Sequence, residues 1–401
     1  MIRNIQDDLR APFDEPIEPL GALEKSYAHR RCLITGHTGF KGSWLSLWLH
    51  RMGSQVAGYA LAPPTCPSLF ASAEISELVR DHRGDVRDLE RLRTVVEVVR
   101  PEIVFHLAAQ PILRRSYAEP KNTFDINVGG TVNLLEALRN CPTVRAVVVV
   151  TSDKCYENQG LRRAFREGDP LGGHDPYSAS KAMVEIVCSS YQKSFFASAG
   201  VALSTARAGN AIGGGDWAED RLIPDAVRAL QAGQPVALRN PRSIRPWQHV
   251  LEPLMGYLML GARLLETEGV TEGEQAGGSW NFGPDPDANR TVSDLMDEFI
   301  GAWGEGRWQD LSAEQTTAPH EAQHLALCWD KARTQLAWHP TWGFSEAIRK
   351  TAQWYRRWAE GASGRQLCLQ QIREYVDTEK RTSTPLRRER FEMDIAEERN
   401  V

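Results

Sequence analysis

Residues 31–42, RCLITGHTGFKG, constrain the fold more than any other stretch of the chain. A short apolar run, Cys32, Leu33 and Ile34, leads into three glycines spaced three apart, Gly36, Gly39 and Gly42, and residues 43–52 then follow a helical apolar pattern. This reads as strand, tight turn, helix. Glycines in such a turn let backbone N–H groups approach a pyrophosphate, and the helix N-terminus beyond them adds partial positive charge. The spacing is G-x-x-G-x-x-G rather than the plain G-x-G-x-x-G fingerprint, so the weight lies in the order of strand, turn and helix.

Strands and helices alternate from there. Residues 55–61 read as a strand, 89–99 as a helix, 103–106 as a strand running into LAAQ, 123–138 as a helix and 144–150 as a strand. The AVVVV at the centre of the last is a continuous β-branched run, as expected of a parallel strand covered on both faces. A long helix over 176–196 and a strand over 201–207 follow. The alternation predicts an α/β fold, a doubly wound parallel sheet of Rossmann type spanning residues 29–208. From 209 to 361 glycine- and proline-rich loops (IGGGDW, RNPRSIRPW, NFGPDPDAN) separate shorter helices such as 222–231 and 292–303. These predict a smaller C-terminal substrate-binding lobe with excursions to the sheet, the ligand lying in the crevice between the two parts. Residues 1–28 read as an N-terminal extension. Residues 362–401 read as a C-terminal one, with a solvated or disordered charged tail from about 378.

The net charge of −5 over 401 residues argues against a nucleic-acid partner, and no apolar run is long enough to span a bilayer. The first thirty residues lack the cationic start and apolar centre of a secretory signal, so a cytoplasmic protein is expected. Seven cysteines stand singly with no C-x-x-C pair, which fits reduced thiols. His320 and His324 have the spacing of a metal pair without its further ligands, and no metal is expected.

Two segments carry the chemistry. TSDKCY, residues 151–156, stands where the most buried strand ends, the place where an open α/β sheet delivers catalytic side chains. DPYSASKAMVE, residues 175–185, sets Tyr177 and Lys181 four apart on one helix face. An ammonium beside a phenol favours phenolate and makes tyrosine a usable acid/base at neutral pH. Asp153 and Lys154 read either as a further acid/base pair or as a plain strand-end ion pair.

With these segments the chain resembles the extended short-chain dehydrogenase/reductases, within them the NAD-dependent sugar epimerase/dehydratase family, and there the CDP-glucose 4,6-dehydratase branch. The resemblance covers about residues 31–361, in GHTGFKGSWLSLWL, PEIVFHLAAQP, TSDKCYEN, GGHDPYSASK, RAGNAIGGGDWAEDRLIPD, RNPRSIRPWQHVLEPL, WNFGP and PHEA. It implies a lyase of deoxysugar biosynthesis, serving a polysaccharide such as O-antigen, that dehydrates CDP-glucose by lending a hydride to NAD and taking it back. As implied catalytic residues, Tyr177 takes the proton of the sugar 4-hydroxyl, Ser152 orients that hydroxyl, and Lys181 lowers the tyrosine pKa and holds the cofactor ribose. Asp153 is the acid candidate for the leaving 6-hydroxyl, and Lys154 the base or enolate-stabilising candidate.

For the cofactor the resemblance implies Gly36, Thr38, Gly39, Phe40, Lys41 and Gly42 at the pyrophosphate, with Lys41 alternatively a solvated helix-start residue. It implies Asp85 and Val86 at the adenine, Leu107, Ala108 and Gln110 at the middle of the dinucleotide, and Tyr177 and Lys181 at its reactive end. His37 reads as a phosphate contact or a bystander. Ala62 stands near the position where an acidic residue often binds the adenosine ribose, so discrimination against a 2′-phosphate is left open. For the substrate it implies Asn210, Arg221, Arg245, Trp247, His249 and Glu321. It also implies a homodimer or higher homo-oligomer through the helices over 123–138 and from 176. A different 4,6-dehydratase, a 4-epimerase and a catalytically silent dinucleotide-binding regulator are the alternative readings.

Overall fold

The computed structural model describes residues 21–160, 163–266, 277–314 and 325–398. Seven strands form its central sheet: β1 (Arg31–Thr35), β2 (Gln55–Ala60), β3 (Arg80–Arg83), β4 (Ile103–His106), β5 (Ala146–Val150), β6 (Ala202–Ala208) and β7 (Gly278–Phe282). Their spatial order is β7-β6-β5-β4-β1-β2-β3, and every neighbouring pair is parallel. The chain lays β1 to β3 on one side and then returns to place β4 on the other side of β1. The C-terminal ends of β1 and β4 therefore flank a topological switch point, where open α/β sheets bind ligands.

Strand pleating explains why the central strands are apolar throughout. Cys32, Ile34, Ile103, Phe105, Ala146 and Val148 enter one core, with Trp44 and Trp48 of α1 (Phe40–Arg51). Leu33, Val104, Val147 and Val149 enter the other, with Leu92 and Val96 of α2 (Leu89–Val99), Leu134 of α3 (Gly130–Arg139) and Val184 of α4 (Pro176–Tyr191). Alternate side chains point to opposite faces, and a fully buried valine contributes about 1.5–3 kcal/mol, so both faces of β5 must be covered. On the α1 side the cover is completed by α5 (Leu251–Glu266), through Leu254 and Leu258.

Helix starts follow local chemistry. Asp88 caps α2 by accepting the Arg91 N–H at 3.0 Å, and Asp175 caps α4 by accepting the Ser178 N–H at 2.8 Å, with Pro176 in the first turn. The helix expected over 123–138 starts earlier, as Pro120–Phe124, and runs through a π-turn, Asp125–Gly129, into α3. The helix expected over 176–196 also closes in a π-turn, Gln192–Phe196.

Three differences from the sequence reading stand out. The edge strand β3 is built from RDHR and buries no side chain fully, so it carries no apolar signal. The opposite edge, β7, ends in Asn281 and Phe282, the first residues of the NFGPDPDAN stretch that reads as loop. The supposed tail is helical: α6 (Phe344–Ala359) is followed by α7 (Gly364–Glu398), which runs past residue 378. Leu367, Cys368, Ile372, Tyr375 and Val376 of α7 are buried, and the Tyr375 ring meets Trp48 and Trp342 edge-on at 6.0 and 5.1 Å. These buried residues precede the charge-dense run that begins at Asp377, and the helix carries on into that run.

Candidate active site

The glycine turn joins β1 to α1 at the switch point. Gly36 lies at φ +76°, and a Cβ there would stand 2.7 Å from the Ala108 nitrogen at the end of β4; at Gly42 it would stand 2.1 Å from the Gly36 carbonyl oxygen. Only glycine fits either place. The Gly39 N–H closes the turn on the Gly36 carbonyl at 3.1 Å, and α1 begins with no side-chain cap, which leaves its first amides to a ligand. His37 is the bystander: its ring is fully buried against Phe70, 3.0 Å from Asp81, in space that Gly58 leaves open. Thr38 donates its hydroxyl to the Leu61 carbonyl at 3.1 Å.

The loop after β4 is tied down from within. Leu107 donates its N–H to the Thr35 carbonyl at 3.1 Å. Gln110 donates to Thr123 at 3.0 Å and accepts the Ile112 N–H at 2.6 Å. Asn127, which the sequence reading passed over, accepts the Gln110 N–H at 2.8 Å and donates to the Ser180 hydroxyl at 2.8 Å, joining this loop to α4. On the adenine side expected from sequence, Asp85 is paired with Arg87 at 2.5 Å and accepts the Tyr59 hydroxyl on its carbonyl, while Val86 is buried.

At the end of β5 the Ser152 hydroxyl donates to Asp153 at 2.9 Å and accepts the Lys154 N–H at 3.2 Å. It also lies near enough to the Tyr177 phenol to pull that group's pKa down. Burial raises the Asp153 carboxyl above the ordinary range against the pull of Lys154, Ser152, Lys41 and Arg245, and its oxygen lies where a Cβ on Gly209 would come within 3.0 Å. Burial likewise pushes the Tyr177 phenol up to about 12, while Ser152 and Arg221 pull it down. The Lys181 ammonium donates to the Val150 carbonyl at 3.1 Å, and burial holds its own pKa down to about 8 against the charge of Glu185. Lys41 is no solvated helix-start residue. Its ammonium turns inward, 3.5 Å from the Tyr257 hydroxyl, and burial holds it down to about 8.

This cluster can exchange protons with a bound hydroxyl beside a pyrophosphate cradle, which bears directly on the comparison with known proteins. Residues 33–351 match the family described as GDP-mannose 4,6 dehydratase. The chain belongs to that family. CDP-glucose 4,6-dehydratase of Salmonella typhimurium is 49% identical over 337 residues, 83% of this chain and 92% of that protein. Among solved structures, dTDP-glucose 4,6-dehydratase from Bacillus anthracis in complex with NAD has a TM-score of 0.66 at 21% identity, covering 82% of this chain and 97% of that one. The UDP-glucose 4-epimerase of Thermus thermophilus in complex with NAD has a TM-score of 0.66 at 25% identity, covering 81% and 99%. The doubly wound parallel sheet is thus the fold of its relatives.

In this member of the GDP-mannose 4,6-dehydratase family a buried network underlies the cluster. Glu185, on α4, accepts the hydroxyls of Thr151 and of Thr205 (2.6 Å) and pairs with Arg207 at 2.7 Å, both charged side chains being 2% exposed. Arg207 also donates to Tyr156 at 2.7 Å and Ser279 at 2.8 Å, and Tyr156 donates to Asn281 at 2.7 Å. The sequence signal was slight: an arginine inside an otherwise small and apolar strand.

The expected substrate residues divide. Arg245 is buried close enough to act on Asp153, Arg221 is 3.4 Å from Asp216 and acts on Tyr177, and Asn210 is exposed, its carbonyl accepting the Gln248 N–H at 3.4 Å. Trp247 is buried and donates its indole N–H to the Arg290 carbonyl at 3.1 Å, fixing the loop that bears Arg245. His249 is a correction. It is fully buried between Trp44 and Trp342, at 6.1 and 4.9 Å, and burial holds it down to about 3, so it presents no atom to a ligand. Glu321, with His320 and His324, lies outside the described residues.

Proposed function

We propose that this chain is a NAD-dependent hydro-lyase that converts CDP-D-glucose to CDP-4-dehydro-6-deoxy-D-glucose and water. What carries the reading is the 49% identity to CDP-glucose 4,6-dehydratase across 83% of the chain. The fit of the cofactor is supported by the turn at Gly36 and Gly42, a space that any Cβ would fill, and by the uncapped start of α1. Gly36, Thr38, Gly39, Phe40, Lys41 and Gly42 hold the pyrophosphate, Asp85 and Val86 the adenine, and Leu107, Ala108 and Gln110 the middle, with Tyr177 and Lys181 at the reactive end. When bound there, NAD supplies a hydride store, so that oxidation at sugar carbon 4 and reduction at carbon 6 cancel.

The protein's own groups manage the protons. Tyr177 takes the proton of the 4-hydroxyl as the carbonyl forms there, with Ser152 aligning that hydroxyl. The ketone formed at carbon 4 acidifies carbon 5, whose proton goes to Lys154 and comes back to carbon 5 as carbon 6 is reduced, while Asp153, protonated more readily because it is buried, gives a proton to the departing 6-hydroxyl and is recharged, through solvent, by the one Tyr177 took from the 4-hydroxyl. Lys181 binds the cofactor ribose. Arg221 and Arg245 grip the substrate pyrophosphate with planar paired donors, beside Asn210. Residues 29–208 serve the cofactor and 209–361 mainly the substrate.

Two copies pair through α4 and the helix over 123–138, a reading supported by the exposure of Met183 (44%) and Ile186 (59%) on α4. Cytoplasmic location is supported by seven free cysteines. The test is incubation with NAD and CDP-, dTDP- or UDP-glucose, read as the alkaline ultraviolet absorbance of a 4-keto-6-deoxy sugar. Product from CDP-glucose is expected. A 4-epimer, or accumulating reduced cofactor, would refute the reading.

A further inference from the structure

The short turn Asp153–Cys155 carries both groups to which the elimination is assigned, and its two ends are held in different ways. Before it, Thr151 donates its N–H to the Ala206 carbonyl of β6 at 3.0 Å, a last bond to the sheet. After it comes Tyr156, which is 2% exposed and has no part in the proton steps above.

The Tyr156 hydroxyl reaches across the sheet. It accepts from the Arg207 guanidinium and donates to the Asn281 side chain, both at 2.7 Å, and Arg207 and Asn281 are register partners on β6 and β7. Burial pushes the phenol's pKa up, so the hydroxyl keeps the proton it donates. The ring stacks on Phe165 at 4.8 Å with the planes 9° apart. Asn281, fully buried, also donates to the Phe165 and Cys328 carbonyls at 2.9 and 3.1 Å, which ties the segments bearing them to β7. The Cys155 carbonyl accepts the Gly172 N–H at 2.9 Å.

The groups of the first hydride transfer do not hang on this anchor. Tyr177 and Lys181 lie on α4, whose start is capped by Asp175, and the Lys181 ammonium is fixed on the Val150 carbonyl of β5. Asp153 and Lys154 lie midway between the Thr151 sheet bond and Tyr156.

We propose that Tyr156 is a positioning residue for the elimination: its hydroxyl, held between Arg207 and Asn281, sets where the turn presents Asp153 and Lys154 to sugar carbons 6 and 5. This rests on the dehydratase reading above and adds a separation of steps to it. A displaced turn slows the loss of water and leaves the hydride transfer from carbon 4 intact. Misplacing a reacting group by about 1 Å costs about a hundredfold in rate.

Tyr156→Phe keeps the stacked ring and removes both hydroxyl contacts. Steady-state dehydration of CDP-glucose should fall about ten- to a hundredfold, with calorimetric affinities for NAD and for CDP within about threefold of the unaltered protein's. In a single turnover the variant should build up reduced cofactor, read by its near-ultraviolet absorbance, together with a 4-keto sugar that still bears its 6-hydroxyl. The unaltered protein should show no such build-up. Phe165→Leu, which strands no buried polar group, should give the same pattern more weakly, and it decides the matter if Tyr156→Phe does not fold. Reduced-cofactor formation and dehydration slowed by the same factor, or dehydration within about threefold of the unaltered rate, would overturn the proposal and leave the dehydratase reading standing. No dehydration by the unaltered protein would overturn both.

Discussion

Replacing Glu185 by glutamine removes the charge that Arg207 faces and keeps the side-chain shape. Both groups are 2% exposed, so the guanidinium would be left desolvated and unpaired. Breaking one partner of a buried pair costs about 3–5 kcal/mol. One carboxylate oxygen also accepts both Thr205 and Arg207, and an amide cannot satisfy donors at both of its ends. A loss of about 3 kcal/mol or more is expected. Urea unfolding followed by circular dichroism would measure it. The double variant Glu185→Gln, Arg207→Met should recover about 2 kcal/mol relative to the sum of the single variants, because it removes the stranded charge. Thr151, which donates to Glu185, precedes Ser152, so kcat should fall in Glu185→Gln more than KM rises. Stability within about 1 kcal/mol of the unaltered protein would refute the idea that this pair anchors the site.

Asp153→Asn should lower kcat by about 10²–10⁴, as loss of a general acid does, while NAD affinity by calorimetry stays unchanged. Gly42→Ala, whose Cβ would meet the Gly36 oxygen at 2.1 Å, should weaken NAD more than about tenfold; Gly301→Ala, with nothing within 4 Å in the helix Val292–Trp303, should instead stabilise by about 0.5–1 kcal/mol. Burial holds Lys41 and Lys181 down to about 8, so their positive charge is present below that pH and lost above it. Affinity for the anionic dinucleotide should therefore fall between pH 7 and 9, with proton uptake on binding near pH 8, which calorimetry in buffers of different ionisation enthalpy reads directly.

What the sequence disclosed follows from how side chains meet solvent. β4 and β5 are buried on both faces and α2 has an amphipathic stripe between Asp88 and Arg100, so β4 and α2 could be read to their bounds and β5 to its end, its start lying two residues later than the expected 144. β3 lies at the sheet edge and needs no apolar residue. α7 buries Ile372 and Tyr375 just ahead of the charged run from Asp377, whose composition reads as tail. In the site, Ser152, Asp153 and Tyr177 lie close in sequence to recognisable turns, and the fold brings them together. The resting pKa of Tyr177 could not be read from the Tyr-x-x-x-Lys spacing, because it depends on burial and on where Lys181 points. His249 resembled a loop ligand until its aromatic neighbours, Trp44 and Trp342, arrived from distant segments.

The most direct test of the account follows a single hydride. CDP-glucose carrying deuterium at carbon 4 should give a product with that deuterium in the new methyl group at carbon 6, one atom per molecule, in the presence of unlabelled NAD. Deuterium retained on the cofactor, or lost to solvent without reaching the methyl group, would contradict it.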